Sequence, residues 1–248
     1  MVKESQRRFS EMASKLKRGT FGKAKVKAYY RPGTSDVNAL EEVIGKRAYR
    51  RGSVDFDVKE GEHWLDLGAN IGAFALYCKS KGATAECYEP MEDCFAILAK
   101  NVPEFKLYNK AVTNVDADEV TFYEPRRKQD RYRSTLLPRK GNYPQTTVQN
   151  LEASLLNENK FDGVKMDIEG SEFGIIDDGL LPRAEKLVFE YHLSRDNSLP
   201  HLVKRIRILR KLYKNVVYCP ELARLVKRGT GTGRTYFDRC IYCWGLKK

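Results

Sequence analysis

The sequence has no run of 18 apolar residues, and Met1–Arg31 lacks the apolar centre of a signal peptide, so neither a membrane-spanning helix nor a secretory leader is written into it. A cytoplasmic protein without membrane contact is expected. Histidine is scarce, at three residues. No second Cys pair or His pair at zinc spacing accompanies the one C-x-x-C at Cys240 and Cys243, which leaves a structural zinc little to bind. The six cysteines are scattered and read as reduced, buried thiols. Internal repeats and low-complexity linkers are also absent, and 248 residues suit one α/β domain with a continuous core. Acidic residues are the minority charge, 33 Asp and Glu against 45 Lys and Arg, for a net charge of +12. The excess is concentrated: Met1–Arg31 carries ten basic residues against two Glu, and RRKQDRYR at Arg126–Arg133 falls in the polar stretch Glu124–Pro144. Such clusters attract polyanions, although a solubilising surface explains the N-terminal one equally well. The chain divides into a basic N-terminal extension, 1–30, and one folded domain, 31–248.

What is present is most distinctive between His63 and Pro90. An apolar strand (Trp64, Leu65, Leu67) carries Asp66, then Gly68 and Gly72 bracket a tight turn, and a helix follows with Ile71, Phe74, Ala75 and Leu76 on its apolar face. A second strand, Ala85–Tyr88, ends in Glu89, 23 positions beyond Asp66. A Rossmann-like unit places its ribose-binding carboxylate at about that distance. A dinucleotide site would show G-x-G-x-x-G, yet Asn70 stands where the second glycine belongs, so backbone approach to a pyrophosphate is poorly served. Asp66 and Asn70 suit a ligand with a cationic amino-acid end, and S-adenosylmethionine has both that end and a ribose.

Elsewhere the pattern predicts helices at Gln6–Lys17, Val37–Ile44 (capped by Ser35 or Asp36), Glu92–Asn101, Leu151–Leu156, Glu172–Asp178 and Leu202–Leu212. It predicts strands at Lys106–Val112, Val120–Tyr123, Phe161–Met166 and Lys186–Phe189, with strand-like segments from Asn215 to Trp244 around the turn at Gly229–Gly233. Strands alternating with helices give an α/β fold with a doubly wound, Rossmann-like, mostly parallel sheet, closed by an antiparallel edge, as in class I methyltransferases. In such sheets ligands sit beyond the carboxyl ends of the strands. Asp66, Glu89, Asp167 and Glu190, each at a strand end, are expected to converge on one cleft.

Further segments carry a family resemblance. FDGVKMDIEGSE at Phe161–Glu172 resembles the K-x-D-x-E-G-x-E signature of the FkbM-type S-adenosylmethionine-dependent methyltransferases, and RPGTSD at Arg31–Asp36, followed by Glu41, Glu42 and Tyr49, resembles the segment before their cofactor strand. With DLGANIG and YEP the likeness runs from Arg31 to His192. It implies O-methylation of a hydroxyl on a sugar, glycan or natural product. It carries over Asp66, Gly68, Asn70 and Gly72 as the cofactor loop and Glu89 as the ribose ligand. NKAV at Asn109–Val112, with Ala111, becomes the adenine-flanking segment, and Lys165, Asp167, Glu169 and Glu172 the acidic signature. Asn150 stands where the family has an aspartate, and the loop at Arg126–Arg133 is unusually basic.

For the chemistry, methyl transfer from a sulfonium is an in-line displacement in which positioning counts for much, and a base assisting a sugar hydroxyl adds about 10² to 10⁴. Asp167 is the first candidate for that base and His192 the second, since it follows Glu190 in FEYH. Lys165 either takes part directly or pairs with a carboxylate. Glu172 either joins the site or caps a helix start. Tyr49 either packs over the cofactor or fills core. Asp167, Glu190 and His192 suit magnesium or manganese, though no compact ligand spacing demands a metal. Arg126, Arg127 and Arg131 are expected to meet a polar or anionic acceptor, with Glu169 beside them. The rival acceptor is an RNA ribose hydroxyl, favoured by the charge. Against it, ribose 2′-hydroxyl methyltransferases generally resemble a lysine-aspartate-lysine-glutamate tetrad, and here the strand after Asp167 ends in Glu190 instead of lysine.

Overall fold

The computed structural model describes residues 15–50, 56–123, 143–156, 161–191, 199–218 and 240–247. Its backbone is a seven-stranded sheet in the order β11-β12-β10-β9-β3-β4-β5. The strands are β3 (His63–Leu67), β4 (Thr84–Tyr88), β5 (Lys106–Tyr108), β9 (Phe161–Met166), β10 (Ala184–Glu190), β11 (Tyr213–Tyr218) and β12 (Cys240–Leu246). Pairings among β10, β9, β3, β4 and β5 are parallel, whereas β12 runs antiparallel to both β10 and β11. The chain moves outward one way from β3 through β4 to β5 and the other way from β9 to β10, so the topological switch point lies between β3 and β9. This is the doubly wound, mostly parallel sheet of class I methyltransferases, with the expected antiparallel edge.

Burial explains why these strands are central. In β3 every residue after His63 is buried, as befits a strand covered on both faces. Helices α2 (Ala73–Ser80) and α3 (Glu92–Asn101) lie on one face, and α4 (Glu172–Asp177) and α5 (Leu199–Leu212) on the other. Residues of β12 alternate between these two apolar layers: Cys240 and Tyr242 join the first, Ile241 and Cys243 the second. The five described cysteines are buried, as expected, and burial pushes the Cys78, Cys87 and Cys94 thiols well up.

Four local expectations are corrected. Lys17, expected to close a helix, opens β1 (Lys17–Phe21), which pairs antiparallel with β2 (Val26–Tyr30); residues 1–14 lie outside the described residues. Phe21 and Ala28 of this hairpin are buried in the core, while their strand neighbours Thr20 and Lys27 face outward, as strand periodicity requires. Helix α1 (Asp36–Leu40) is short and passes into a π turn at Glu41–Gly45. The expected side-chain cap from Ser35 or Asp36 does not form: Ser35 makes no cap bond, and the Asp36 carboxylate instead holds Arg31. The strand expected over Lys106–Val112 breaks at Asn109, giving β5 and a separate β6 (Ala111–Thr113). Leu151–Glu152 continue β8 (Gln145–Glu152) before a 3₁₀ turn at Ala153–Leu156, because Thr146, Thr147 and Val148 favour a strand that β6 and β7 (Glu119–Tyr123) flank.

Candidate cofactor and acceptor site

The turn after β3 is shaped by the neighbouring strand. Gly68 has φ +77°, and a Cβ there would fall 1.9 Å from the Asp167 carbonyl oxygen. Any side chain would therefore force β3 and β9 apart at the switch point. Gly72, at φ +89°, precedes α2 and would drive a Cβ to 2.8 Å from Leu98 Cδ1. Between them Asn70 takes a left-handed conformation, φ 51°. The Gly68 and Ala69 amides both donate to the Tyr88 carbonyl, at 3.0 Å each, which fastens the turn to the end of β4.

Glu89 is the hub of that junction. One carboxylate oxygen accepts the Asn70 amide at 2.8 Å, and the other accepts the Met91 amide at 2.9 Å. Asn109 Nδ2 donates to the carbonyls of Glu89 (2.8 Å) and Pro90 (3.1 Å), so the NKAV segment clamps the YEP segment from behind. Burial pushes the Glu89 carboxyl up to about 7, against the two amide bonds and the charge of Lys165.

Beneath the turn lies a closed charge cluster. Asp66 is wholly buried and meets Lys165 Nζ at 3.0 Å. The same ammonium donates to the carbonyls of Gly68 (2.7 Å) and Leu67 (3.4 Å). Burial opposes the Lys165 charge, but Asp66, Asp167 and Glu89 outweigh it and hold the pKa above its ordinary value. Burial pushes the Asp66 carboxyl up while Lys165 pulls it down; at 3.0 Å we read the two as an ion pair. Tyr49 donates to Asp167 Oδ2 at 3.1 Å and packs edge-on against Phe74. Burial, with Asp167 next, raises its phenol well above the usual value.

A cleft of about 640 Å³, part of it open to solvent, lies above this cluster at the carboxyl ends of β3, β4 and β9. Gly68, Asn70, Glu89, Ala111, Asp167 and Glu169 line it; of the four strand-end carboxylates expected to converge there, Glu89 and Asp167 do. Asp66, Gly72, Lys165, Tyr49 and Glu190 are not among its lining residues: Asp66 and Lys165 form its floor support, Gly72 starts α2, and Tyr49 reaches the cleft only through Asp167. Glu190 ends β10, one strand beyond Asp167, close enough to raise the Tyr49 phenol. Glu172 is fully buried, accepting the amides of Ile168 (3.0 Å) and Gly170 (2.7 Å); it fastens its own loop and is withdrawn from the cleft. His192, Arg126, Arg127 and Arg131 lie outside the described residues. Among the described residues no group of three His, Cys, Asp or Glu comes together as a metal set.

Several lining residues escaped the sequence reading. Met91, Val112, Phe122 and Ile168 make an apolar wall, and Lys110 adds a cation. Phe122 comes from β7, on the small three-stranded sheet, and no local motif marks it. Arg31, in contrast, was signalled by RPGTSD: its guanidinium joins Asp36 (2.9 Å) to Asp93 (2.8 Å) and so braces the start of α3 behind Glu89. Asn150 also acquires a reason. Its Nδ2 donates to the carbonyls of Val115 and Ala117, both at 2.9 Å, while Oδ1 accepts Thr113 Oγ1. An aspartate could not donate to those two carbonyls.

The site suits S-adenosylmethionine on three counts. Glu89 presents a carboxylate already held rigid by backbone amides. Asn70 Oδ1 is buried without a hydrogen-bond partner among the described residues, an acceptor on a residue that lines the cleft. The wall of Met91, Val112 and Phe122 offers an apolar slot beside Ala111.

Solved structures similar to the chain include an S-adenosylmethionine-dependent O-methyltransferase from Thermotoga maritima, at 12% identity over 90% of this chain and 75% of that one, TM-score 0.44. Another is a tRNA (uracil-54, C5)-methyltransferase from Pyrococcus abyssi in complex with S-adenosyl-L-homocysteine, at 11% identity, 94% and 44% coverage, TM-score 0.43. A third is the C-terminal domain of precorrin-6Y C5,15-methyltransferase from Rhodobacter capsulatus, at 15% identity, 76% and 82% coverage, TM-score 0.39. The chain thus spans 44% of the length of the Pyrococcus abyssi protein. No curated protein matches it. The fold assignment rests on the strand order. Over residues 66–214 the chain matches the Methyltransferase FkbM domain, a span that takes in the cofactor turn, Glu89 and the acidic signature, and it belongs to that family of S-adenosylmethionine-dependent methyltransferases.

Proposed function

We propose that this protein methylates a hydroxyl oxygen of a sugar, glycan or small polar acceptor, with Asp167 as the group that orients and deprotonates it. The observation that carries the reading is the position of Asp167: it follows β9 at the switch point, lines the cleft, and has its carboxylate oriented by Tyr49. Bound at the Gly68–Gly72 turn with its ribose on Glu89, S-adenosylmethionine would supply an activated methyl group. Asn70 and Glu89 bind, and Met91, Val112 and Phe122 exclude water from that half of the cleft. Asp167 takes the acceptor's hydroxyl proton on a carboxylate oxygen, while Glu169 offers a polar contact at the acceptor end. The loop with Arg126, Arg127 and Arg131 and the second candidate base, His192, are proposed to complete that end. Magnesium or manganese is not required by this scheme.

A ribose hydroxyl of RNA is the second reading, favoured by the basic groove described below. One experiment separates the acceptors: labelled S-adenosylmethionine offered with glycans, small hydroxylated compounds and RNA in parallel, with and without chelator. Label in the glycan or small-molecule arm is expected. Label confined to RNA would transfer the activity to the second reading, and label in nitrogen nucleophiles alone would refute O-methylation.

Glu89 makes the cofactor assignment testable by proton linkage. Ribose hydroxyls donate to the ionised carboxylate, so binding favours loss of the proton that burial retains up to about pH 7. Affinity for S-adenosylhomocysteine should rise as pH climbs towards 7 and then level off, with proton release visible by calorimetry in buffers of different ionisation enthalpy. The stability contribution runs oppositely. The folded carboxyl holds its proton more tightly than the unfolded one, whose ordinary value is 4.5, so ionisation costs stability progressively between about 4.5 and 7. Glu89→Gln should abolish the linked proton release and weaken binding; unchanged affinity and unchanged release would remove Glu89 from the site.

A further inference from the structure

A second concavity shares no lining residue with the cofactor cleft. It opens beside the last turn of α2, the end away from the Gly68–Gly72 turn, between the β1–β2 hairpin and the end of α3. Arg18, Lys25 and Lys27 of the hairpin face Lys79 of α2 and Lys100 of α3 across it, and all five are exposed. No Asp or Glu is among its described lining residues. Glu104 reaches Lys79 from outside. The Tyr29 ring lies in the same groove, with the Arg18 guanidinium 5.4 Å and the Lys100 ammonium 6.0 Å from its centre.

Local structure accounts for only part of this arrangement. Lys79 and Lys100 sit at helix C-termini, where cations suit the macrodipole. The three hairpin cations gain nothing from that, and like charges facing one another across a groove repel. The walls are also fixed. Asn101 Oδ1 accepts the Tyr29 amide at 2.7 Å, and Asn101 Nδ2 donates to the carbonyls of Tyr29 (3.1 Å) and Ile71 (2.7 Å). A buried side chain thereby locks the hairpin to α3 and to the residue next to Gly72. A rigid, single-sign groove with an aromatic ring in it is built like a site for a polymer that carries phosphates and planar bases.

We propose that this groove docks single-stranded RNA, its phosphates following Arg18, Lys25, Lys27, Lys79 and Lys100 and a base stacking at Tyr29. An anionic bilayer is flat and fits a concavity poorly; a sulfated polysaccharide has no planar base for the ring. The inference goes beyond the proposed reaction and holds whichever hydroxyl is methylated.

The test is fluorescence anisotropy of the full chain with a labelled single-stranded oligoribonucleotide over a salt series. Five phosphate contacts in the groove would contribute about −3.5 to the slope of log affinity against log salt, at about −0.7 per contact. Arg18→Glu/Lys27→Glu should lower affinity about tenfold or more and flatten the slope by about 1.4. Its S-adenosylhomocysteine affinity should be unchanged, which shows that the variant is folded. Tyr29→Leu, which keeps apolar bulk, should lower RNA affinity about fivefold or more while leaving affinity for a sulfated polysaccharide unaltered. Equal RNA binding by the wild type and the double variant would overturn the proposal, placing the contacts on other basic segments. Equal loss of RNA and polysaccharide binding in Tyr29→Leu would overturn the assignment to RNA. A failed methylation assay with intact RNA binding would count against the proposed reaction alone.

Discussion

Turnover by the Asp167→Asn variant is expected to fall by about 10² or more, with cofactor affinity unchanged, the scale of losing a positioned base. The substitution is isosteric, and the amide oxygen can still accept from Tyr49, so the bond at 3.1 Å survives in the variant. The hydrogen bonds that fasten the cofactor turn come from Tyr88, Glu89 and Lys165, and the backbone of Asp167, whose amide donates to the Leu67 carbonyl, is unaltered by the substitution. The deficit should therefore appear in turnover number at saturating acceptor, and calorimetry with S-adenosylhomocysteine should be indistinguishable from wild type. Tyr49→Phe keeps the ring against Phe74 but loses the bond that orients the carboxylate; its turnover should lie between the two. A near-native turnover number for Asp167→Asn would take the residue out of the chemistry and move attention to His192.

The sheet and the cofactor turn were legible because they are local. A strand, two glycines at fixed spacing, a helix and a strand ending in Glu89 need only about 25 residues of sequence, and each step is set by its neighbours. The order of burial within the turn was not legible. Asp66 and Asn70 look equivalent in DLGAN, yet the strand period turns Asp66 down onto Lys165, which arrives from β9 at matching register. Gly68 was read as part of the cofactor turn; the structure adds a reason for the glycine from 99 positions away, the Asp167 carbonyl. The same limit hid Phe122 and the hairpin. Phe122 depends on the long-range pairing of β7 with β8, and the hairpin, local in itself, on its docking against α3 72 positions away; neither leaves a periodic trace strong enough to outweigh helix propensity near Lys17. Asn150 shows the converse. Read as a departure from the family at the acceptor side, it is tied to Thr113 and two carbonyls of the β6–β7 connection, and its amide is demanded by that connection.

Lys165→Met is expected to be the most damaging change to the fold and, through it, to cofactor binding. Lys165 is 3% exposed and meets three acceptors: Asp66 and the carbonyls of Leu67 and Gly68. An ammonium engaged in this way has no donor to spare for substrate, which makes it a positioning residue that holds the turn from below. Removing it leaves the Asp66 carboxylate buried without its partner, a loss of about 3 to 5 kcal/mol. At about 2 to 4 °C per kcal/mol for a chain of this size, the melting temperature should fall by roughly 6 to 20 °C. Adding Asp66→Asn removes the stranded charge and should recover much of that stability, so the double variant separates the ion pair from mere loss of packing. It should not restore full cofactor affinity, because the Gly68 carbonyl remains untethered and the turn is free to shift. Thermal unfolding of the three variants, with S-adenosylhomocysteine calorimetry on those that fold, decides the point. A Lys165→Met protein that melts and binds like the wild type but turns over a hundredfold more slowly would refute the positioning role and make Lys165 a group that acts on the reacting atoms.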